Sequence, residues 1–98
     1  MSTQVLPSVK MPQLSGGRAR ARALASPLQG RMREQQVRLD CRQLVAGTAS
    51  FADEIVRRVL LEGGADRLVV EYAGPAFGGY LQDAARDLDV SASITFVN

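Results

Sequence analysis

The 98-residue sequence has no histidine, no tryptophan, a single cysteine, four prolines and only 5% aromatic residues. Each shortage excludes something. Without histidine there is no imidazole general base, no Ser–His or Cys–His nucleophile pair and no imidazole metal ligand. Cys41 alone can build neither an internal disulfide nor a cysteine-rich zinc site. No metal and no cofactor is therefore expected, and most enzyme classes fall away. A small enzyme working through Asp, Glu, Ser, Tyr or Arg alone is the one catalytic reading left. No stretch approaches the roughly 18 consecutive apolar residues of a membrane helix. Met1-Ser2-Thr3-Gln4 carries no charged lead into an apolar run, so no secretory leader is expected and a cytoplasmic location is the default.

What is present is ordinary globular composition, 46% hydrophobic and 22% charged, in a length that suits one domain spanning residues 1–98. With so few aromatics the core must rest on aliphatic side chains and alanine. The net charge of +2 is unevenly placed. Residues 1–38 hold seven basic side chains against Glu34 alone, for +6, and residues 39–98 hold five arginines against nine acids, for −4. Arg18, Arg20, Arg22, Arg31 and Arg33 could thus form a basic surface for nucleic acid or another acidic partner. No aromatic is interleaved with them, and the acidic portion would cancel part of their field.

Strand and helix patterns alternate along the chain. Residues 1–14 read as an extended lead-in or edge strand, with Pro7 and Pro12 limiting the apolar run from Val5 to Met11. Arg18 to Leu28 is rich in helix formers, with Pro27 set to end or kink the helix, although the Arg-Ala alternation from 18 to 23 also fits a strand. Gln36 to Cys41 alternates as a strand, and Arg42 to Ala49 reads as a linker. From Ser50, the stripe Phe51, Ala52, Ile55, Val56, Val59 and Leu60 predicts an amphipathic helix stopped by Gly63-Gly64. Asp53 with Arg57 and Glu54 with Arg58 are acid-then-base pairs at i,i+4. Arg67 to Ala73 reads as a largely buried strand, Ala76 to Leu88 as a helix burying Phe77, Tyr80 and Leu81, and Ser91 to Val97 as an edge strand. This order predicts an α/β fold, a four- to five-stranded mixed but mainly parallel sheet flanked by about three helices. An edge position for the last strand would let a second copy pair with it as a homodimer.

Phosphate-loop patterns are missing, since neither Gly16-Gly17 nor Gly78-Gly79 completes G-x-G-x-x-G or the Walker spacing. The chemistry concentrates instead at the start of the amphipathic helix, where Thr48 and Ser50 present hydroxyls. Ser50 and Asp53 have capping-box spacing, and a hydroxyl there sits where the helix dipole favours an added phosphate.

The run Val37-Arg38-Leu39-Asp40 followed by Ser50-Phe51-Ala52-Asp53-Glu54-Ile55 resembles the "LDF…SFADEL" signature of small STAS-like proteins of unknown function. Those are similar to the STAS domains of bacterial anti-anti-sigma factors. Aligned without gaps, the phosphorylatable serine of that pattern falls on Ser50. Thr48, Ala49 and Phe51 stand where it has Asp, Ser and Gly, and Cys41 where the STAS-like signature has Phe. The resemblance implies a STAS-like fold and a non-enzymatic regulatory module that binds a protein partner, a GHKL-type kinase and anti-sigma factor or a sensor ATPase. It implies Ser50, with Thr48 beside it, as phosphoacceptor. The expected partner surface comprises Gly47, Phe51, Asp53, Glu54, Arg57 and Arg58. The alternative is nucleic-acid or acidic-partner binding through the arginine-rich leading third.

Overall fold

Alternation of apolar and polar residues sets the strands, and the longer 3.6-residue stripes set the helices. The computed structural model describes residues 8–97 of the chain. In chain order these form β1 (Ser8–Lys10), β2 (Leu14–Ser15), α1 (Arg18–Ala25), β3 (Gln36–Asp40), β4 (Ala46–Gly47), α2 (Ala49–Val56), β5 (Arg67–Glu71), α3 (Pro75–Asp87) and β6 (Ile94–Val97). Short 3-10 turns follow α1 at Ser26–Leu28 and precede β6 at Ser91–Ser93, and α2 runs on into a wider π-type turn at Arg57–Glu62.

The α/β reading holds. The main sheet has the order β1-β3-β5-β6 with every neighbour parallel, so it is not mixed, and β2 and β4 form a separate two-stranded parallel ribbon. Val9, Leu39 and Val70 lie in register across β1, β3 and β5, next to the register pair Val37 and Leu68, and all five are buried. The intervening register positions carry Arg38, Val69 and Thr95, then Asp40 and Glu71. The strand order advances in one direction, and crossovers of the usual right hand then stack successive helices on one face, where α1 and α3 both pack against α2. The opposite face is polar, with Arg38 bonded to Glu71 at 2.6 Å and Arg67 to Thr95 at 2.6 Å. Leu68-Val69-Val70 is therefore not buried throughout: Val69 is half-buried on the polar face.

Several boundaries differ from the sequence pattern. The Arg/Ala segment is a helix, not a strand; it ends at Ala25 and tightens into a 3-10 turn over Ser26–Leu28 that contains Pro27. Gly17, with φ of +81°, makes the turn into α1. Tyr80 is exposed rather than buried, and Ser91–Ser93 is a turn, which leaves Ile94–Val97 as the strand. The lead-in resolves into β1, an edge strand of the main sheet, and the start of β2; Val5, Leu6 and Pro7 lie outside the described residues. Within the described residues β6 is the opposite edge, as its alternation implied.

α2 is the central helix, with α1 and α3 packed on its flanks. It sends Phe51, Ile55 and Val56 into the core with Val59, and the Phe51 ring meets that of Phe77 at 6.3 Å between centroids, tilted by 55°. Offset tilted pairs of this kind are favoured by the ring quadrupoles.

Candidate functional site

The start of α2 follows the carboxyl ends of β3 and β4. Thr48 has extended backbone angles (φ −101°, ψ 159°), and its Oγ1 accepts from the Phe51 N–H at 3.2 Å. Thr48 is thus the N-cap, and Ser50 lies within the first turn instead of capping it. The reason is geometric, since a capping side chain must hang from a residue outside the helix. Thr48 Oγ1 also accepts from the Gly17 N–H at 3.3 Å, so one hydroxyl ties the start of α1 to that of α2. Ser50 Oγ lies 3.3 Å from Thr48 Oγ1, half-buried beside the exposed Thr48.

Behind the hydroxyls lies an ion-pair network. Arg18 and Arg57 both bond Asp53, the latter at 2.8 Å. Glu54, only 4% exposed, accepts from Arg58 at 2.8 Å, Arg22 at 3.2 Å and Arg18 at 3.3 Å. The Arg58 bond, working against burial and helped by Arg22 and Arg18, holds the Glu54 carboxyl below its ordinary range. Burial pushes Asp53 upward, but hydrogen bonds from Arg18 and Arg57 outweigh it and bring that carboxyl down. The i,i+4 pairs are formed as the spacing implied. The guanidiniums of Arg18 and Arg22 on α1 clamp the acidic side chains of α2, joining the two helices.

This network changes what the candidate residues can do. Phe51, expected on the partner surface, is fully buried against Phe77, and Glu54 is buried as well. Gly47 packs directly on Phe77: a Cβ there would lie 2.5 Å from the ring. Asp53, Arg57 and Arg58 are occupied with intramolecular partners. Arg18 and Arg22 leave the proposed basic surface for the same reason, while Arg20, Arg31 and Arg33 are exposed and form no ion pair among the described residues. The five arginines do not form one uncompensated patch.

Two grooves flank the start of α2. One, of about 290 Å³, is lined by Arg18, Ser50, Asp53, Tyr80, Asp83 and Asp87, with Ala49 and Ala84. The other, of about 360 Å³, runs between β4 and the start of α3. Tyr80 and Val45 line this groove, with Leu14 on the strand paired to Ala46, and none of the three carried a functional signal in the sequence, although Leu44-Val45-Ala46 is an apolar run within what reads as a linker. At the end of β5, Tyr72 has φ of +62°, uncommon for an aromatic residue, and lies under the Arg42 guanidinium at 4.5 Å.

Cys41 is buried, and that burial, with a smaller push from Asp40, drives its thiol up to about 12. A thiol so protonated is a core side chain. Among the described residues no group of three or more Cys, Asp or Glu side chains could hold a metal ion, and no helix is long and apolar enough to cross a membrane. No family model, curated protein or solved structure matches the chain.

Proposed function

We propose that this chain is a non-enzymatic, cytoplasmic regulatory module that resembles an anti-anti-sigma factor and works as a partner switch. Its partner is a protein, a GHKL-type kinase and anti-sigma factor or a related sensor ATPase. The supporting observation is the adjacent pair of hydroxyls, Thr48 and Ser50, at the start of α2 beside a groove. Thr48 is committed to its cap and to Gly17, so Ser50 is the hydroxyl left for modification. A phosphate on Ser50 brings about two negative charges. It would enter a groove lined by Asp53, Asp83 and Asp87 with Arg18 as the one guanidinium, and would compete with Asp53 for it. Partner binding with the free hydroxyl and release on phosphorylation follow from that repulsion and rearrangement.

The test is incubation of the full chain with purified GHKL-type serine kinases and ATP, followed by mass spectrometry. One phosphate on Ser50 is expected, together with loss of kinase retention on immobilised Ser50→Asp. No phosphate on Ser50 or Thr48 from any kinase overturns the switch.

A further inference from the structure

We propose that the groove between β4 and the start of α3 is a docking site for a protein segment that places an aliphatic or aromatic side chain next to a lysine or arginine. The inference rests on the reading of the chain as a protein-binding module, but not on its phosphate switch.

The apolar half of the argument is in the lining. Phe77 and Gly47 are in contact at its base, Val45 and Pro75 stand at its sides, and the Tyr80 hydroxyl is the one polar side-chain group among the lining residues. Val45 is 76% exposed, and Leu14, on the neighbouring strand of the β2–β4 ribbon, is 67% exposed. A single exposed aliphatic residue needs no explanation, but Val45 and Tyr80 both exposed at one groove, with Leu14 on the strand beside it, mark an interaction surface. The volume of about 360 Å³ lies at the small end of the range for ligand sites and suits one or two side chains.

Charge selects the rest of the partner. Tyr80 also lines the adjoining groove, where Asp53, Asp83 and Asp87 face Arg18 alone. Asp53 and Asp83 are bonded to arginines, whereas Asp87 has no cationic partner among the described residues. A segment lying across Tyr80 therefore passes from an apolar slot to a groove with one carboxylate unpaired among the described residues, Asp87. A basic residue beside the apolar anchor answers the unpaired Asp87 carboxylate, and an acidic one in the same place would meet like charge.

The experiment is display of random 12-residue peptides panned on the full chain. Enriched peptides should share Leu, Ile, Phe or Tyr near a Lys or Arg. In fluorescence polarisation, Val45→Asp and Asp87→Lys should each weaken the best peptide by about tenfold or more, as loss of an anchor does, with thermal midpoints preserved. Arg20→Glu should leave affinity unchanged. Failure to enrich any sequence, an acidic consensus, or equal binding to Val45→Asp overturns the proposal. So does a sedimenting dimer that Val45→Asp dissolves, since the occupant is then a second copy. Phosphorylation of Ser50 without groove-binding peptides removes the docking site and leaves the switch; the converse removes the switch and leaves the docking site.

Discussion

Gly47→Ala is a one-carbon change whose consequence can be worked out from the packing. The added Cβ would lie 2.5 and 2.7 Å from two carbons of the Phe77 ring, closer than side-chain carbons pack. Phe77 is buried, and on its inner side stands Phe51, itself fully buried, so the ring cannot retreat into the core. It must move outward, into the groove that it lines with Gly47. Overpacking of a well-filled site costs about 1–3 kcal/mol, and the lower entropy of alanine in the unfolded chain returns about 0.4–1 kcal/mol. An approach of 2.5 Å puts the overpacking at about 2–3 kcal/mol, so the net loss is about 1–2.6 kcal/mol, which for a domain of this length lowers the thermal midpoint by about 4–21 °C. Urea unfolding followed by circular dichroism measures it. Phe77→Leu, destabilising by itself, should absorb most of the further cost of Gly47→Ala, because the clash partner is gone. If Gly47→Ala is as stable as the parent, or costs as much on top of Phe77→Leu as it does alone, the packing argument fails.

Thr48→Ala should cost about 1 kcal/mol through loss of the cap, while Ser50→Ala stays within about 0.5 kcal/mol; equilibrium unfolding showing the reverse order would refute the cap assignment. For Glu54 the folded carboxyl lies below its ordinary value, so its contribution to stability is full above the unfolded value of about 4.3 and is lost as pH falls through the folded one. The stability gap between the parent and Glu54→Gln should therefore narrow between about pH 6 and pH 3, and a gap constant across that range contradicts the network. With its thiol at about 12, Cys41 should react with a disulfide reagent at neutral pH only after unfolding. Fast labelling of the folded chain would show that the site is open.

The parts of the site that could be read in advance are those that local periodicity controls. Asp53–Arg57 and Glu54–Arg58 are fixed by one turn of helix, so spacing alone predicts them. Arg18 and Arg22 reach the same carboxylates from 32 to 36 residues away, and nothing in the chain order announces that approach. Ser50 and Asp53 fit a capping pattern as well as Thr48 does. The choice fell to Thr48, whose hydroxyl also receives the Gly17 N–H from another segment. β2 and β4 are two residues each, too short for any alternation to show.

The sequence by itself determined the alternating α/β order with a mainly parallel sheet, the helix α2 with its apolar stripe, and a composition without imidazole chemistry. It did so because those features depend on periods of two and 3.6 residues and on which side chains are present. Only the tertiary structure decided that the helices share one face of the sheet, that the basic leading third is partly neutralised by α2, that Phe51 is core, and that Val45 and Tyr80 frame a groove. Each of these depends on segments distant in the chain meeting in space, where packing and charge pairing select among local patterns that were equally acceptable.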